Sequence, residues 1–336
     1  MGNRPDFTNN FKHTNVTDTG SIYSILQYTD WQNLSLVEVA GYTANAFRII
    51  IDRERVDVAG YSAFEWPLHH EEQFANLGFR TRYEGGPTAI PPTPEELERA
   101  LKLIQWSVDR GIAVLAWDLF VPEFGIIYGY NDETRTLRCR DITKDGELPY
   151  DKLGRGQVHE LYVMAVTETL PVDKRTMLRG ALKLAVRHAR EQGYKREDSR
   201  YRNGLAGYDA WIEAFGNRNV DVYGNTLHGL YVFDQRCFAA QFLKQVALEY
   251  EGESSADKQL SSLAGKAAVH YDNVADRLGE FVVRFPFPNG GDPNNPEEAA
   301  AAVRILREAR AEEEQGVRLL EQMLQVLDDN SNGSAI

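Results

Sequence analysis

The chain has 336 residues, of which 43% are hydrophobic and 26% charged, values typical of a globular protein, and its length predicts two domains. It has no run of about eighteen apolar residues and no apolar leader in MGNRPDFTNN, so neither a transmembrane helix nor a secretory signal is predicted. The net charge of -13, with no polybasic stretch, argues against nucleic acid and against a membrane surface as partners. Two cysteines far apart in the chain, Cys139 and Cys237, indicate a reducing cytoplasm.

Residues 1–169 are predicted to form an α+β domain with a mainly antiparallel sheet. Helices are predicted from Ser21 to Tyr28, with Asp18 and Thr19 as candidate caps, from Leu34 to a break at Gly41, and in PPTPEELERALKLIQWSVDRG, with Thr93 as cap and Gly111 as stop. Strands are predicted from Phe47 to Ile51, in IAVLAWDLF, EFGIIYGY and TLRCRDI, and from Leu161 to Thr167, with a turn at Asn131 and Asp132. The adjacent histidines His69 and His70 lack metal-ligand spacing and are assigned to a surface loop.

Residues 170–328 are predicted to form an all-α helical domain, followed by a disordered tail at 329–336. The expected helices run from Thr176 to Gln192 with a stop at Gly193, from Tyr208 to Phe215, from Leu227 to Tyr250, from about Ser261 to Val283, and from Pro296 nearly to the end. The segment FPFPNGGDPNNP is a loop by composition.

Glu123 is the first candidate functional residue, because it places a carboxylate where an apolar strand begins. Such a group either lies at a wet sheet edge or needs a buried partner. Asp118 and Asp141 bracket the same region, and two carboxylates sharing a cleft are suited to acid/base chemistry. An acid-rich hairpin gives the same pattern, so the two interpretations remain open.

The helical half contains a second group of candidates. Glu313 interrupts an apolar stripe and must meet an arginine, a tyrosine hydroxyl or a ligand. Tyr208 and Trp211 belong either to the helical core or to one wall of a ligand pocket. His188 falls on the apolar side of its helix, which is more typical of a core histidine than of a catalyst.

Several segments resemble a known family. SIYSILQY, GYTANAFRI, RGIAVLAWDLFVPEFGIIYGYNDE and RDITKDGELPYDKLG are similar to the C39-like, papain-type domain of the butirosin biosynthesis acyltransferase family, and GLAGYDAW, AAQFL, HYDNVADRL and FPFP to the helical region of its bacterial relatives. The resemblance implies a papain-like fold and puts Thr17 or a near neighbour at the family's cysteine nucleophile, Glu123 at its histidine and Asp141 at its acid. The thiol and the imidazole are both replaced, so it implies that papain-like acyl transfer is lost.

Three functions fit this sequence. The first is a binding protein for a small polar or amine-bearing ligand or for a partner segment, with Glu123 at the centre of the cleft. Its candidate ligand-binding residues are Arg48, Trp66, Tyr130, Tyr208, Trp211 and Glu313. The second is an enzyme, a transferase, hydrolase or isomerase acting on a small metabolite, in which Glu123 and Asp141 act as general acid and base. The third is a scaffold whose helical domain self-associates. No cofactor and no metal are expected.

Overall fold

A computed structural model describes residues 13–191, 200–252 and 254–333, with side chains described as far as residue 329. The chain divides into two compact units. The described part of Met1–Val39 and the segment His70–Pro171 form the first, and Ala40–His69 and the described part of Val172–Ile336 form the second. The first holds a six-stranded antiparallel sheet and the C-terminal region is all helical, so the predicted α+β class is confirmed.

The helices and strands are numbered in chain order. The helices are α1 (Thr17–Leu26), α2 (Leu36–Tyr42), α3 (Trp66–Asn76), α4 (Pro94–Asp109), α5 (Lys174–Ala189), α6 (Gly204–Asn217), α7 (Val222–Glu249), α8 (Ser255–Arg284) and α9 (Pro296–Gly333). The strands are β1 (Ile50–Asp52), β2 (Phe79–Gly85), β3 (Val114–Trp117), β4 (Phe124–Asn131), β5 (Thr136–Arg140), β6 (Asp145–Pro149), β7 (Tyr162–Thr169) and β8 (Tyr201–Asn203). Within the described residues, no helix is both long and apolar enough to cross a membrane.

The sheet of the first unit has the strand order β2-β7-β3-β4-β5-β6, with every neighbouring pair antiparallel. Side chains alternate between its faces. One face carries Ile127 and Cys139 and packs against α4. The other carries Phe124 and Tyr162, whose rings cluster with His70 of α3, and α1 packs there against β3 and β4. Helices α1 and α4 therefore cover opposite faces of the sheet.

The predicted start of α4 is confirmed. The Thr93 hydroxyl accepts from the backbone N–H of Glu96, whose side chain accepts in turn from the backbone N–H of Thr93, and Pro94 is the first helical residue. The caps predicted for α1 are wrong, because Asp18 and Thr19 lie inside a helix that begins at Thr17. The buried Asp18 side chain does not cap the helix; its Oδ1 lies 3.1 Å from His70 Nε2.

Three further sequence predictions differ from the structure. His69 and His70 lie in α3 and not in a surface loop, because polar side chains of this helix are hydrogen-bonded on its buried side. The strand predicted from Phe47 to Ile51 is shorter: residues Asn45–Phe47 form a 3-10 turn, and the strand is β1. Edge strands β2 and β6 were not predicted, because only one residue of each is buried and neither shows an apolar alternation.

The second unit contains the β1–β8 pair and the helices α5 to α9. Its core joins residues of β1, α6, α7, α8 and α9 around Trp211 and Phe281. Helix α9 extends to Gly333, so the segment predicted as a disordered tail begins as helix, since propagating an existing helix needs only one new bond per residue. The predicted stop at Gly193 lies outside the described residues, as do residues 334–336.

Candidate functional site

Thr17 and Glu123 meet where a helix and a strand both begin. Thr17 is the first residue of α1, and Glu123 directly precedes β4. The Thr17 hydroxyl donates to Glu123 Oε2 at 2.5 Å and accepts from the backbone N–H of Phe124 at 3.3 Å. Thr17 is completely buried, whereas Glu123 is partly exposed. The structure therefore brings together the two residues that the resemblance placed at the nucleophile and at the base.

Asp141 holds the loop that precedes β4. Its carboxylate accepts five hydrogen bonds: from the backbone N–H groups of Phe120, Val121, Thr143 and Lys144, and from the hydroxyl of Thr143. The side chain is buried, with 3% exposure. A carboxylate engaged in this way fixes backbone geometry, so Asp141 positions the loop that ends in Glu123.

Asp118 anchors the other end of the same loop. It has a positive φ of 52° and is buried, and its Oδ2 accepts from the backbone N–H of Val158 at 2.7 Å. Burial raises the pKa of this carboxyl, and the nearby charge of Asp141 raises it further. Its backbone N–H donates to the carbonyl of Glu123 at 3.0 Å, which closes the loop.

A buried histidine that the sequence did not single out contacts Asp18, the residue after Thr17. His70 is fully buried, with Nδ1 2.7 Å from the Tyr162 hydroxyl and Nε2 3.1 Å from Asp18 Oδ1. Burial raises the pKa of Tyr162 well above its usual value. Trp66, His70 and Phe74 are spaced four residues apart, and this helical stripe was the available signal for a buried histidine.

Neither cysteine is suited to thiolate chemistry. Cys139 is buried in the core beside α4, and burial raises the pKa of its thiol far above neutrality. Burial also raises the pKa of the Cys237 thiol, to about 11. The thiolate is the nucleophilic form, so both residues are poor nucleophiles at neutral pH.

Tyr208, Trp211 and Glu313 belong to the core of the second unit. Glu313 receives two hydrogen bonds from Arg236, at 2.6 and 2.8 Å, and one from the Tyr208 hydroxyl at 2.6 Å. The indole N–H of Trp211 donates to Asn225 Oδ1 at 2.8 Å. Since Tyr208 and Trp211 have no exposed surface and Glu313 only 2%, these residues act as structural partners and offer no surface to a ligand.

Arg48 and Trp66 are also mostly buried. Arg48 donates to Asn45 Oδ1 and to the carbonyl of Tyr61, and its guanidinium lies 4.1 Å from the centroid of the Phe64 ring. The Trp66 indole donates to the carbonyl of Ser62 at 2.7 Å. Arg48 thereby joins the residues before β1 to the segment that precedes α3, and Trp66 holds the start of α3 to the same segment.

Tyr130 lies on the α4 side of the sheet, away from the face that carries Thr17. A β-bulge between Ile127 and Gly129 reverses the alternation of side chains in β4. The Tyr130 hydroxyl consequently donates to Asp109 Oδ1 of α4 at 2.8 Å. The structure does not bring Tyr130 together with the Thr17–Glu123 pair.

His188 has the environment of a core histidine. Its Nε2 lies 3.1 Å from the backbone N and 2.9 Å from the backbone O of Ile49. Burial, together with the positive charges of Arg48 and Arg236, lowers its pKa to about 3. The ring is therefore neutral at physiological pH.

Comparison with known proteins does not identify a family for this chain. No protein-family model matches the chain, and no curated protein is significantly similar to it. Within the described residues, no group of three or more histidine, cysteine, aspartate or glutamate side chains is placed to hold a metal ion.

Proposed function

We propose that the chain is a small-molecule-binding protein built on a papain-like fold that has lost its thiol chemistry, and that Glu123 binds the amine of its ligand. The observation that carries this proposal is the hydrogen bond of 2.5 Å between Thr17 and Glu123. It links the start of α1 with the start of β4, the two places to which the resemblance assigns nucleophile and base. An antiparallel sheet with α1 on one face is consistent with that register.

The residues at these two places favour binding over catalysis. A threonine hydroxyl with a carboxylate neighbour is a weak nucleophile, because a carboxylate is a poor acceptor for an alcohol proton. The raised pKa values of Cys139 and Cys237 exclude either thiol as a replacement at neutral pH. A partly exposed carboxylate remains at the centre, and a carboxylate attracts a cationic group such as an amine.

An enzyme that uses Glu123 and Asp141 as general acid and base is the alternative. The five hydrogen bonds to Asp141 weigh against it, since this carboxylate is occupied in holding the loop and its neighbours are backbone groups. Glu123 would then have to act without the second carboxylate.

The test is calorimetric titration of the full chain with n-butylamine, putrescine and spermidine, and with butyrate as the anionic control. We expect at least one amine to bind and Glu123→Gln to weaken it at least tenfold, about 1.4 kcal/mol. The substitution preserves the acceptor for Thr17, so the thermal unfolding midpoint should stay near that of the wild type. Glu147→Gln, on the exposed part of β6, is the matched control and should bind like the wild type.

Two results would count against the proposal. Equal affinity of the wild type and Glu123→Gln for the amine would remove Glu123 from the site. Failure of all three amines to bind at millimolar concentration would remove the amine preference. A bell-shaped pH–rate profile with a limb that Glu123→Gln abolishes, for turnover of any metabolite, would favour the enzyme.

A further inference from the structure

A groove of about 480 Å³ lies along α4 and the strands β2 and β7 of the first unit. It is lined by Arg82, Arg99, Lys102, Leu103, Trp106 and Thr167. Its volume falls within the range of small-molecule sites, roughly 300–1,000 Å³. Helix α4 covers the face of the sheet opposite to α1, so this groove is separate from the Thr17–Glu123 pair.

Trp106 gives the groove a fixed aromatic surface. The guanidinium of Arg110 lies 4.2 Å from the centroid of its ring, and both terminal nitrogens of Arg110 donate to backbone carbonyls, those of Val166 and Thr167. The indole is thereby held on one side while 42% of the residue stays exposed. An aromatic side chain that is already fixed loses little conformational entropy when a second ring stacks on it.

The rim of the groove carries more positive than negative charge. Arg82 and Arg99 share one carboxylate, Glu84, at 3.0 and 3.1 Å, and Lys102 pairs with Glu98 at 2.6 Å. Arg110, which lies over the Trp106 ring, donates to the carbonyls of Val166 and Thr167. The three lining cations and their two carboxylate partners leave an excess of one positive charge, on a chain whose net charge is -13.

These ion pairs leave the cations accessible to a ligand. Arg82, Arg99 and Lys102 have side chains that are 65%, 52% and 70% exposed. Exposed pairs of this kind contribute little stability, so an incoming anion can compete with them. Arginine also presents a planar fork that matches a carboxylate or a phosphate.

We propose that this groove binds a planar aromatic compound that carries a carboxylate or a phosphate group. The ring stacks on Trp106 above Leu103, and the acidic group meets Arg99, Lys102 and Arg82. Both features are required: the ring supplies contact area, and the acidic group supplies charge complementarity. The proposal is independent of the amine site at Glu123.

Calorimetric titration of the full chain tests this site with four probes. Adenosine monophosphate and 2-naphthoate combine a ring with a phosphate or a carboxylate, adenosine has the ring alone, and inorganic phosphate the charge alone. We expect at least one of the two aromatic anions to bind with a dissociation constant below about 1 mM, at least tenfold tighter than adenosine and phosphate. The probe that binds more tightly identifies whether the groove prefers a phosphate or a carboxylate.

Variants then locate the site. Trp106→Ala and Arg99→Gln should each weaken the aromatic anion at least fivefold, and neither residue is buried, so the fold is not at risk. Arg80→Gln is the matched control, because Arg80 lies on the same strand but does not line the groove, and it should bind like the wild type. Absence of binding by both aromatic anions, inorganic phosphate as strong as either, or unchanged affinity in Trp106→Ala would each overturn the proposal. The amine titrations of Glu123→Gln are unaffected by these outcomes.

Discussion

Replacing Glu313 with glutamine should destabilise the second unit strongly without touching any ligand. Glu313 accepts three hydrogen bonds, two of them from Arg236, and the Arg236 and Glu313 side chains are 0% and 2% exposed. Burial alone lowers the pKa of Arg236, but the neighbouring carboxylate raises it overall, so the guanidinium stays charged. Glu313→Gln leaves that charge buried without a counter-charge.

The expected loss follows from these contacts. Removing one partner of a buried ion pair costs about 3–5 kcal/mol, because the remaining charge stays desolvated. Arg236 also donates to the carbonyls of Ala46 and Arg48 at 3.0 Å, which keeps the guanidinium from turning out to solvent. We therefore expect Glu313→Gln to lower the free energy of unfolding by at least about 3 kcal/mol. Glu314→Gln, one residue further along α9 in half-exposed pairs with Arg310 and Arg318, should cost less than about 1 kcal/mol.

Urea unfolding of the full chain, followed by circular dichroism at 222 nm, measures the change in the free energy of unfolding for both variants. A double-mutant cycle with Arg236→Met and Glu313→Leu gives the coupling free energy between the two side chains. We expect it to reach about 2 kcal/mol, because each single variant leaves one buried charge without its partner whereas the double variant leaves none. A Glu313→Gln loss below about 1 kcal/mol, or equal to that of Glu314→Gln, would refute the assignment of Glu313 as a structural counter-charge.

Two further predictions concern protonation. The pKa of His188 falls from 6.5 to about 3 on folding, so between these values only the unfolded chain binds the proton; the stability this residue contributes is present above pH 6.5 and is lost as the pH falls toward 3. Urea titrations between pH 4 and 8 should therefore show a shallower pH dependence for His188→Gln than for the wild type, and equal slopes would contradict the assignment. An aromatic disulfide reagent should modify Cys237 slowly at pH 8, and about tenfold faster for each pH unit up to its pKa of about 11, while Cys139 should react only after denaturation. Rapid modification of Cys139 in the native chain would show that its burial is incomplete.

Elements that carry their own signals could be predicted from the sequence. Helix α4 has its cap, its first-turn acids and its stop within one stretch. Strands β3 and β4 are mostly apolar, and turn residues after Tyr130 separate β4 from β5. Helix α3 has no comparable cap or stop, and two of its buried positions, His70 and Gln73, are polar and depend on partners elsewhere in the chain. The sequence also could not predict the face of the sheet on which Tyr130 lies, since a single β-bulge decides it.

The site divides in the same way. The pairing of Thr17 with Glu123 was expected from the resemblance, and the partners of Glu313 were expected by type, an arginine and a tyrosine hydroxyl. The contacts of His70 join residues 52 and 92 positions away, and no local pattern encodes such a pairing. Contacts between polar residues that are distant in sequence leave little trace in the hydrophobic periodicity, whereas an apolar face produces a clear one.

The geometry around Glu123 does not depend on the chemistry of residue 123. The loop from Asp118 to Glu123 is held by backbone hydrogen bonds: Asp141 receives two N–H groups from it, and the N–H of Asp118 donates to the carbonyl of Glu123. Thr17 is likewise fixed by the backbone N–H of Phe124. Because these bonds use main-chain atoms, a substitution at position 123 should leave the loop in place. The loop therefore presents the side chain of residue 123 from a fixed backbone, so that Glu123→Gln tests the carboxylate and not the loop.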